Sequence, residues 1–302
     1  MAEKLNYLKA VEFDKLSASF RKRYPDISYL AEENQEGLRW LWQPKYDGCY
    51  VRVNLRTGKA FSRTGEAVPH LSLTATELSY LYRFTDYKWL IGEAWSASMQ
   101  FPEISGIFRT KDVGKVPIDK RLFIAAHDLL MDDEDPRPYE YRLKSLSRTL
   151  DDFQPLYVIC PTYPQYLRLG TNYKSLAAEY VSRGHYDGLV IKDGTAPYTC
   201  GLAKEGQIIK VKPSFSLDLR VATIITEFGE KTGRKVYTLQ IRHEGKGRGH
   251  SFVGSGMPHI LPPDLTVGCI VEVEFMGWTE DGHLREPRFK GVRHDKVEAD
   301  YE

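Results

Sequence analysis

After Pro213-Ser214 the helical periodicity of the chain stops. LRVATIITEFG, KVYTLQIRHEG and CIVEVEFMGW alternate apolar and polar positions, with Gly-rich turns between them. Alternation at period two marks strands with one buried face, and about 88 residues built this way make an all-β domain of small-barrel size. A hinge is expected at roughly 213–217, dividing the chain into domains of residues 1–214 and 215–302.

Upstream the pattern is mixed. Residues 5–24 read as an amphipathic helix (Leu5, Leu8, Val11, Leu16, Phe20) that ends in Arg21, Lys22 and Arg23 before Pro25. From Leu38 the pattern turns to short β runs, LRWLWQPK, YVRVNLRTG and KAFSRTG, joined by Gly-containing turns. A helix from about Leu71 to Phe84 follows, then the strands KWLIGEAW and RLFIAAHDLL. Residues 139–146 and 175–183 read as helices, and YVICPTY, YDGLVIKDG and QIIKVKPS as strands.

Composition excludes several classes. The 302 residues carry 42 Lys+Arg against 41 Asp+Glu, a net charge of +1, which rules out a wholly basic nucleic-acid coat but leaves room for a local basic face. No run approaches the roughly 18–20 apolar residues of a membrane span, and the charged N-terminus lacks a secretory h-region. Cys49, Cys160, Cys200 and Cys269 lie far apart with no CxxC spacing, so reduced thiols in a cytoplasmic protein are expected instead of disulfides or zinc.

The chemistry is concentrated at strand ends. Lys45-Tyr46-Asp47-Gly48 places an amine at the end of one strand and a turn into the next. Such an amine, protonated up to a pKa of about 10.4, needs cations, a metal or desolvation to become a nucleophile. Ser62-Arg63-Thr64-Gly65 follows one strand later, Gly92-Glu93 lies in WLIGEAW, and His127-Asp128 lies in RLFIAAHDLL. Asp187 opens DGLVIK, and Lys210 and Lys212, two apart in a strand, share one face. One amine, several cations and a few carboxylates from different strands suit a nucleoside triphosphate with a divalent metal.

The order and spacing of KYDG, SRTG, GE, AAHDLL, DGLVIK and KVK resemble the covalent nucleotidyltransferase superfamily, and specifically the ATP-dependent DNA ligases. LREPRF at 284–289 and Arg293-His294-Asp295-Lys296 resemble the RxPxF and RxDK signatures that end ligase OB domains. The resemblance spans about residues 38–297 and is closest to the small phage and viral ligases, since nothing remains for a separate DNA-binding domain. It implies an α+β nucleotidyltransferase (ATP-grasp-like adenylation) domain with antiparallel sheets, followed by an all-β OB-fold domain. It also implies a monomeric enzyme of DNA repair, replication and recombination that uses ATP and Mg²⁺ on nicked double-stranded DNA, in the cytoplasm of a host if phage-encoded.

Carried over residue by residue, the resemblance makes Lys45 the nucleophile that attacks the α-phosphate of ATP. Gln43 and Pro44 fall among the ATP-binding residues, with Gln43 where a Glu commonly reads the adenine amino group. Arg63 and Glu93 hold the ribose and phosphate region. His127 replaces the aromatic residue that stacks on adenine. Lys210 and Lys212 bind the α-phosphate, and Asp187, where a Glu is usual, binds metal together with Glu93. Arg293 and Lys296, with Asp295, orient the departing pyrophosphate. The family usually has Arg at the position of Tyr50; Arg52, on the same strand face, is the nearest cation and a DNA-binding candidate. The stretch 231–250 carries six Lys/Arg against one Glu and reads either as a solvated hairpin or as a phosphate-tracking surface through Lys231, Arg234, Lys235, Lys246 and Arg248. Asp128 reads as a structural ion pair or a site acid, and Lys192 as a solvated strand-end charge or a site cation. The competing functions are an RNA ligase or mRNA-capping guanylyltransferase and a catalytically impaired, ligase-like DNA-binding protein.

Overall fold

The computed structural model describes residues 7–71, 86–117, 120–153, 158–159, 164–229, 233–243, 249–279 and 281–301. The chain divides into two compact units, Met1–Lys212 and Pro213–Glu302. The first begins with β1 (Leu8–Lys9), β2 (Val11–Glu12), α1 (Ala18–Arg23), α2 (Ile27–Glu36), β3 (Trp40–Tyr46), β4 (Cys49–Asn54) and β5 (Ala60–Ser62). It continues through β6 (Trp89–Trp95), α3 (Phe101–Arg109), β7 (Phe123–Leu130), α4 (Tyr139–Phe153), β8 (Val158–Ile159) and β9 (Gln165–Tyr166). It closes with α5 (Tyr173–Ser182), β10 (Tyr186–Asp193), β11 (Gly201–Leu202) and β12 (Ile208–Val211).

Two five-stranded sheets carry this unit, in the orders β2-β12-β10-β3-β9 and β5-β4-β6-β7-β8. Both are antiparallel except at one edge, where β2 runs parallel to β12 and β8 parallel to β7. Period-two alternation decides what each face does. In β3, Trp40 packs with Phe20, Tyr24, Leu30 and Ala31 of the N-terminal helices and with Tyr173 and Ala177 of α5. Leu41, on the opposite face, packs with Tyr139 and Leu143 of α4. The second sheet buries Val51, Val53, Leu90, Ala94 and Ile124 against Leu146 and Leu150 of α4. A smaller cluster of Leu8, Trp89, Ile91, Leu130 and Tyr198, with Ile208 against it, joins the two sheets.

The N-terminal segment corrects one expectation. Residues 5–24 do not form one helix; the α-helix covers only Ala18–Arg23, and before it come two short strands and a 3-10 turn at Phe13–Lys15. Leu8 pairs with Gly201 and Val11 with Ile209. The apolar spacing of this stretch also fits short edge strands, and pairing at a sheet edge satisfies backbone groups that a lone helix end would leave open. Ser17 fixes where the helix starts, its side chain accepting from Phe20 N. The strands expected at KWLIGEAW and RLFIAAHDLL are β6 and β7, and the helices expected near 139–146 and 175–183 are α4 and α5. The helix expected at 71–84 lies outside the described residues from 72 onward, as does most of YVICPTY.

The second unit contains β13 (Phe215–Phe228), β14 (Lys235–Arg242), β15 (His250–Val253), β16 (Ile270–Phe275) and β17 (Arg288–Val292). Their order is β15-β14-β13-β16-β17 with every pair antiparallel, and a parallel bridge between Ser255 and Arg288 joins the two ends. The long β13 serves two neighbours, β16 through Phe215–Arg220 and β14 from Arg220 onward, with a register shift between Val221 and Thr223. Leu219, Val221, Leu239, Ile241, Val253, Val271 and Val273 fill the interior. The result is a five-stranded barrel of the OB type.

Candidate active site

Lys45 is the penultimate residue of β3, on the strand face that carries Leu41 and Gln43. Register aligns its neighbours: Gln43 lies opposite Val190 of β10, Val190 opposite Lys210 of β12, and Lys210 opposite Glu12 of β2. Gln43 is buried, and Pro44 pairs with Leu189 on the other face. One step along the strands, Lys45 Nζ donates to Asp187 Oδ2 at 2.6 Å, and Lys212 Nζ lies 3.1 Å from Asp187 Oδ1. Asp187 is 8% exposed, against 27% for Lys45 and 16% for Lys212, so a buried acid anchors two cations that reach solvent.

A bulge places that acid. Between Tyr186 and Leu189, β10 has one residue more than β3 opposite it, and Asp187 and Gly188 occupy the irregularity. Bulges re-aim side chains next to active sites. Gly188 has φ of 120°, and a Cβ there would meet Val211 O at 2.3 Å. Gly48 is constrained by space alone: its Cβ would lie 2.3 Å from Ala94 O and 2.8 Å from Glu93 Cγ. The glycines of KYDG and DGLVIK let backbone strands approach beside Lys45 and Glu93.

The second sheet supplies the facing groups. Tyr50 pairs with Glu93 in β6, and His127 is the extra residue of a bulge in β7 between the pairs Ile91–Asp128 and Gly92–Ala126. Burial lifts the Glu93 carboxyl to about 7, although the charges of Lys45 and Arg63 pull it down. Burial would lower the Lys45 amine, but Asp187 and then Glu93 hold it above its ordinary value. Burial would raise Asp187, but Lys45 and Lys212 keep it below the usual carboxylate range. Burial, then Lys192 and Lys45, push His127 well below the usual imidazole range, so its ring is neutral and flat. Burial also lowers the Lys210 amine against the opposing charge of Glu12, 3.4 Å away.

Several assignments take definite shape. Lys192 is not a solvated charge: it is 4% exposed, donates to His127 O at 3.2 Å and to Tyr139 Oη at 3.0 Å, and thereby ties the sheets together. Asp128 is structural, paired with the equally buried Arg142 at 2.8 Å. Arg63 is exposed, its guanidinium 5.6 Å from the centre of the Tyr7 ring. Arg52 stacks over Trp89 at 4.5 Å, while Tyr50 packs against the Leu8–Trp89–Ile91 cluster. In the cluster Arg21–Arg23, Arg23 pairs with Glu33 and Arg21 donates to Leu16 O. Arg293 and Lys296 lie on the barrel unit, both paired with Asp218. Arg234 and Lys235 are exposed at the start of β14, whereas Lys231, Lys246 and Arg248 lie outside the described residues.

Sequence reasoning missed Glu12, Arg142 and Asp218. Each is recognised only through a partner distant in sequence: Lys210, Asp128 and Arg293. Cys49, Cys200 and Cys269 are free thiols. Among the described residues no helix is long and apolar enough to cross a membrane, and no group of three or more His, Cys, Asp or Glu could hold a metal on its own.

Residues 219–296 match the family model for the ATP dependent DNA ligase C terminal region. No curated protein sequence matches the chain. Among solved structures, one from a structure-function analysis of Lig E DNA ligases, on DNA binding with a minimal scaffold, is 19% identical with a TM-score of 0.68, covering 97% of this chain and 100% of that one. The ATP-dependent DNA ligase from bacteriophage T7, in complex with ATP, is 19% identical with a TM-score of 0.53 over 95% and 98%. Chlorella virus DNA ligase-adenylate is 17% identical with a TM-score of 0.50 over 98% and 100%. The C-terminal region of this chain thus matches the ATP-dependent DNA ligase family, and the chain shares the fold of solved DNA ligases.

Proposed function

We propose that this chain seals 5′-phosphate/3′-hydroxyl nicks in duplex DNA at the expense of ATP, through a lysyl-AMP intermediate. The observation that carries the reading is Lys45, fixed on a strand end in direct contact with Asp187, which also holds Lys212, with Lys210 and Gln43 on the same face. Units 1–212 and 213–302 then serve as the adenylation and OB-fold domains of one monomer.

Phosphoryl transfer rewards positioning and charge neutralisation. The Lys45 amine attacks the α-phosphorus; a P–N bond forms, the bond to the bridging oxygen breaks, and pyrophosphate leaves while the amine proton passes to solvent. Lys210 and Lys212 steady the α-phosphate, Arg63 and Glu93 the ribose, and His127 and Gln43 the adenine. Arg293 and Lys296 bind the pyrophosphate as it departs. A 5′-phosphate oxygen then takes the AMP, the P–N bond breaks, and Lys45 recovers a proton. Finally the 3′-hydroxyl attacks the 5′-phosphate and AMP leaves.

Asp187 and Glu93, the two acids whose charges act most strongly on Lys45, fit Mg²⁺, which is held by one or two carboxylates plus phosphate oxygens and water. Bound there, the ion would neutralise phosphate charge and remove from Lys45 the negative charges that keep it protonated.

The test is incubation with labelled ATP and Mg²⁺, then a nicked duplex, following label from protein to DNA to free AMP. Lys45→Ala is expected to lose all protein labelling yet to seal a nick adenylated beforehand, since that step does not use the amine. Labelling of the variant at the wild-type level would overturn the assignment of Lys45. Labelling of the wild-type protein by GTP in place of ATP would make it a capping enzyme.

A further inference from the structure

The barrel unit contains a four-residue charge cluster whose lowest member has no assigned role. Arg293 follows β17 directly, and its Nη1 donates to both oxygens of Asp218, at 2.9 and 3.0 Å. Its Nε and Nη2 donate to Asp295 at 2.9 and 2.8 Å. Lys296 Nζ lies 2.5 Å from Asp218 Oδ2. The Asp218 side chain is 8% exposed, while Arg293, Lys296 and Asp295 are 29%, 38% and 66% exposed. The acid thus lies beneath the two cations, which remain partly exposed above it.

The backbone fixes that acid in turn. Asp218 N donates to Asp300 Oδ2 at 2.7 Å, and Asp300 N donates back to Asp218 O at 2.7 Å. Arg220, two residues on, donates to Val297 O at 3.0 Å. The segment after Lys296 therefore folds back onto β13 and clamps it at Asp218. Arg and Lys are long, mutually repelling side chains, and holding both at one point costs rotamer entropy as well as charge repulsion. A single buried carboxylate meets both costs before any phosphate arrives, which is preorganisation.

We infer that Asp218 is a positioning residue for the pyrophosphate-releasing step, presenting Arg293 and Lys296 as one preset phosphate-binding pair. The inference rests on the proposed ligase reading. It is tested with full-length Asp218→Asn, which keeps the shape and loses the charge, and Asp218→Glu, which keeps the charge on a longer arm. Two rates are measured for each: self-adenylation from ATP, and sealing of a nick adenylated beforehand.

Asp218→Asn is expected to slow self-adenylation at least tenfold and to leave sealing within twofold of wild type, with Asp218→Glu recovering part of the loss. Added to the double variant Arg293→Ala/Lys296→Ala, it should deepen that variant's loss by less than twofold, because Asp218 acts only through these two cations. Wild-type self-adenylation in Asp218→Asn, a loss that multiplies in the triple variant, or equal losses in both reactions for both variants would overturn the inference. Wild-type protein that takes no label from ATP would overturn the ligase reading itself.

Discussion

Burial lifts the Glu93 carboxyl from 4.5 to about 7, so folding costs the chain a proton-linked penalty wherever the unfolded acid would ionise. The folded value lies above the unfolded one. The stability tied to this proton is therefore complete below pH 4.5 and is lost as pH rises toward 7. The loss above pH 7 is on the order of 3 kcal/mol. Glu93→Gln, neutral at every pH, is expected to unfold several degrees higher than wild type at pH 8, with the gap closing near pH 4.5, while self-adenylation falls. Thermal unfolding at the two pH values checks this, and equal gaps at both would show that Glu93 is not strained. At this scale the sequence was informative where function concentrates residue types: Lys45, Glu93 and Asp187 stand in short strings whose chemistry can be named. It was silent where a role depends on a distant partner. Nothing in the neighbourhood of Glu12 or Asp218 marks them as counter-ions, because Lys210 and Arg293 reach them only through the folded sheets. The two like-charged lysines of KVK, hard to explain as structure from the string alone, meet different acids, Lys210 facing Glu12 and Lys212 facing the Asp187 it shares with Lys45.

Two bulges, in different sheets, bring the site together. One places Asp187 against Lys45 and Lys212, and the other makes His127 the unpaired residue of β7. Gly188 is the hinge of the first: at φ of 120° with Val211 O 2.3 Å from a would-be Cβ, alanine meets both backbone strain and a clash with main chain that cannot rotate away. Gly188→Ala is expected to cost about 3 kcal/mol or more of stability and to abolish self-adenylation even where the protein remains folded. Denaturant unfolding together with ATP labelling checks both halves, and an active variant would show that β10 and β12 can part without disturbing Asp187. Strands were legible in the sequence because alternation and Gly-containing turns bound them, as in KWLIGEAW. Bulges were not, since an extra residue changes no pattern until its partner strand is known. The N-terminal strands were missed for a related reason. Val11 joins β12 as an edge strand whose partner lies almost 200 positions later, and only the cap at Ser17 announces the real helix.

A net charge of +1 gives the molecule little overall attraction for a polyanion, so the affinity for DNA that the proposed function requires must come from where the charges are placed. The stretch 231–250 concentrates six cations against one acid, and Arg234 and Lys235 stand exposed at the start of β14. Their neighbour Phe228, opposite Lys235 in the β13–β14 ladder, is 67% exposed, so this end of the ladder lies outside the barrel interior. An exposed basic hairpin is suited to following a phosphate backbone, where each phosphate neutralised releases about one condensed counterion. Replacing Lys231, Arg234, Lys235, Lys246 and Arg248 by Ala is therefore expected to weaken binding to a nicked duplex and to flatten its salt dependence. The slope of log affinity against log salt should fall by about 0.9 for every phosphate the variant no longer neutralises, hence by about two to four units if most of the five cations engage DNA. Self-adenylation measures the other half of the argument. Lys45, Asp187, Lys210 and Lys212 all belong to residues 1–212, and none of the five replaced cations does, so ATP labelling should remain within twofold of wild type. Binding measured between about 50 and 200 mM salt decides the matter: a slope equal to that of the unmodified protein would make the hairpin a solvated surface and place the phosphate-binding groups elsewhere on the chain.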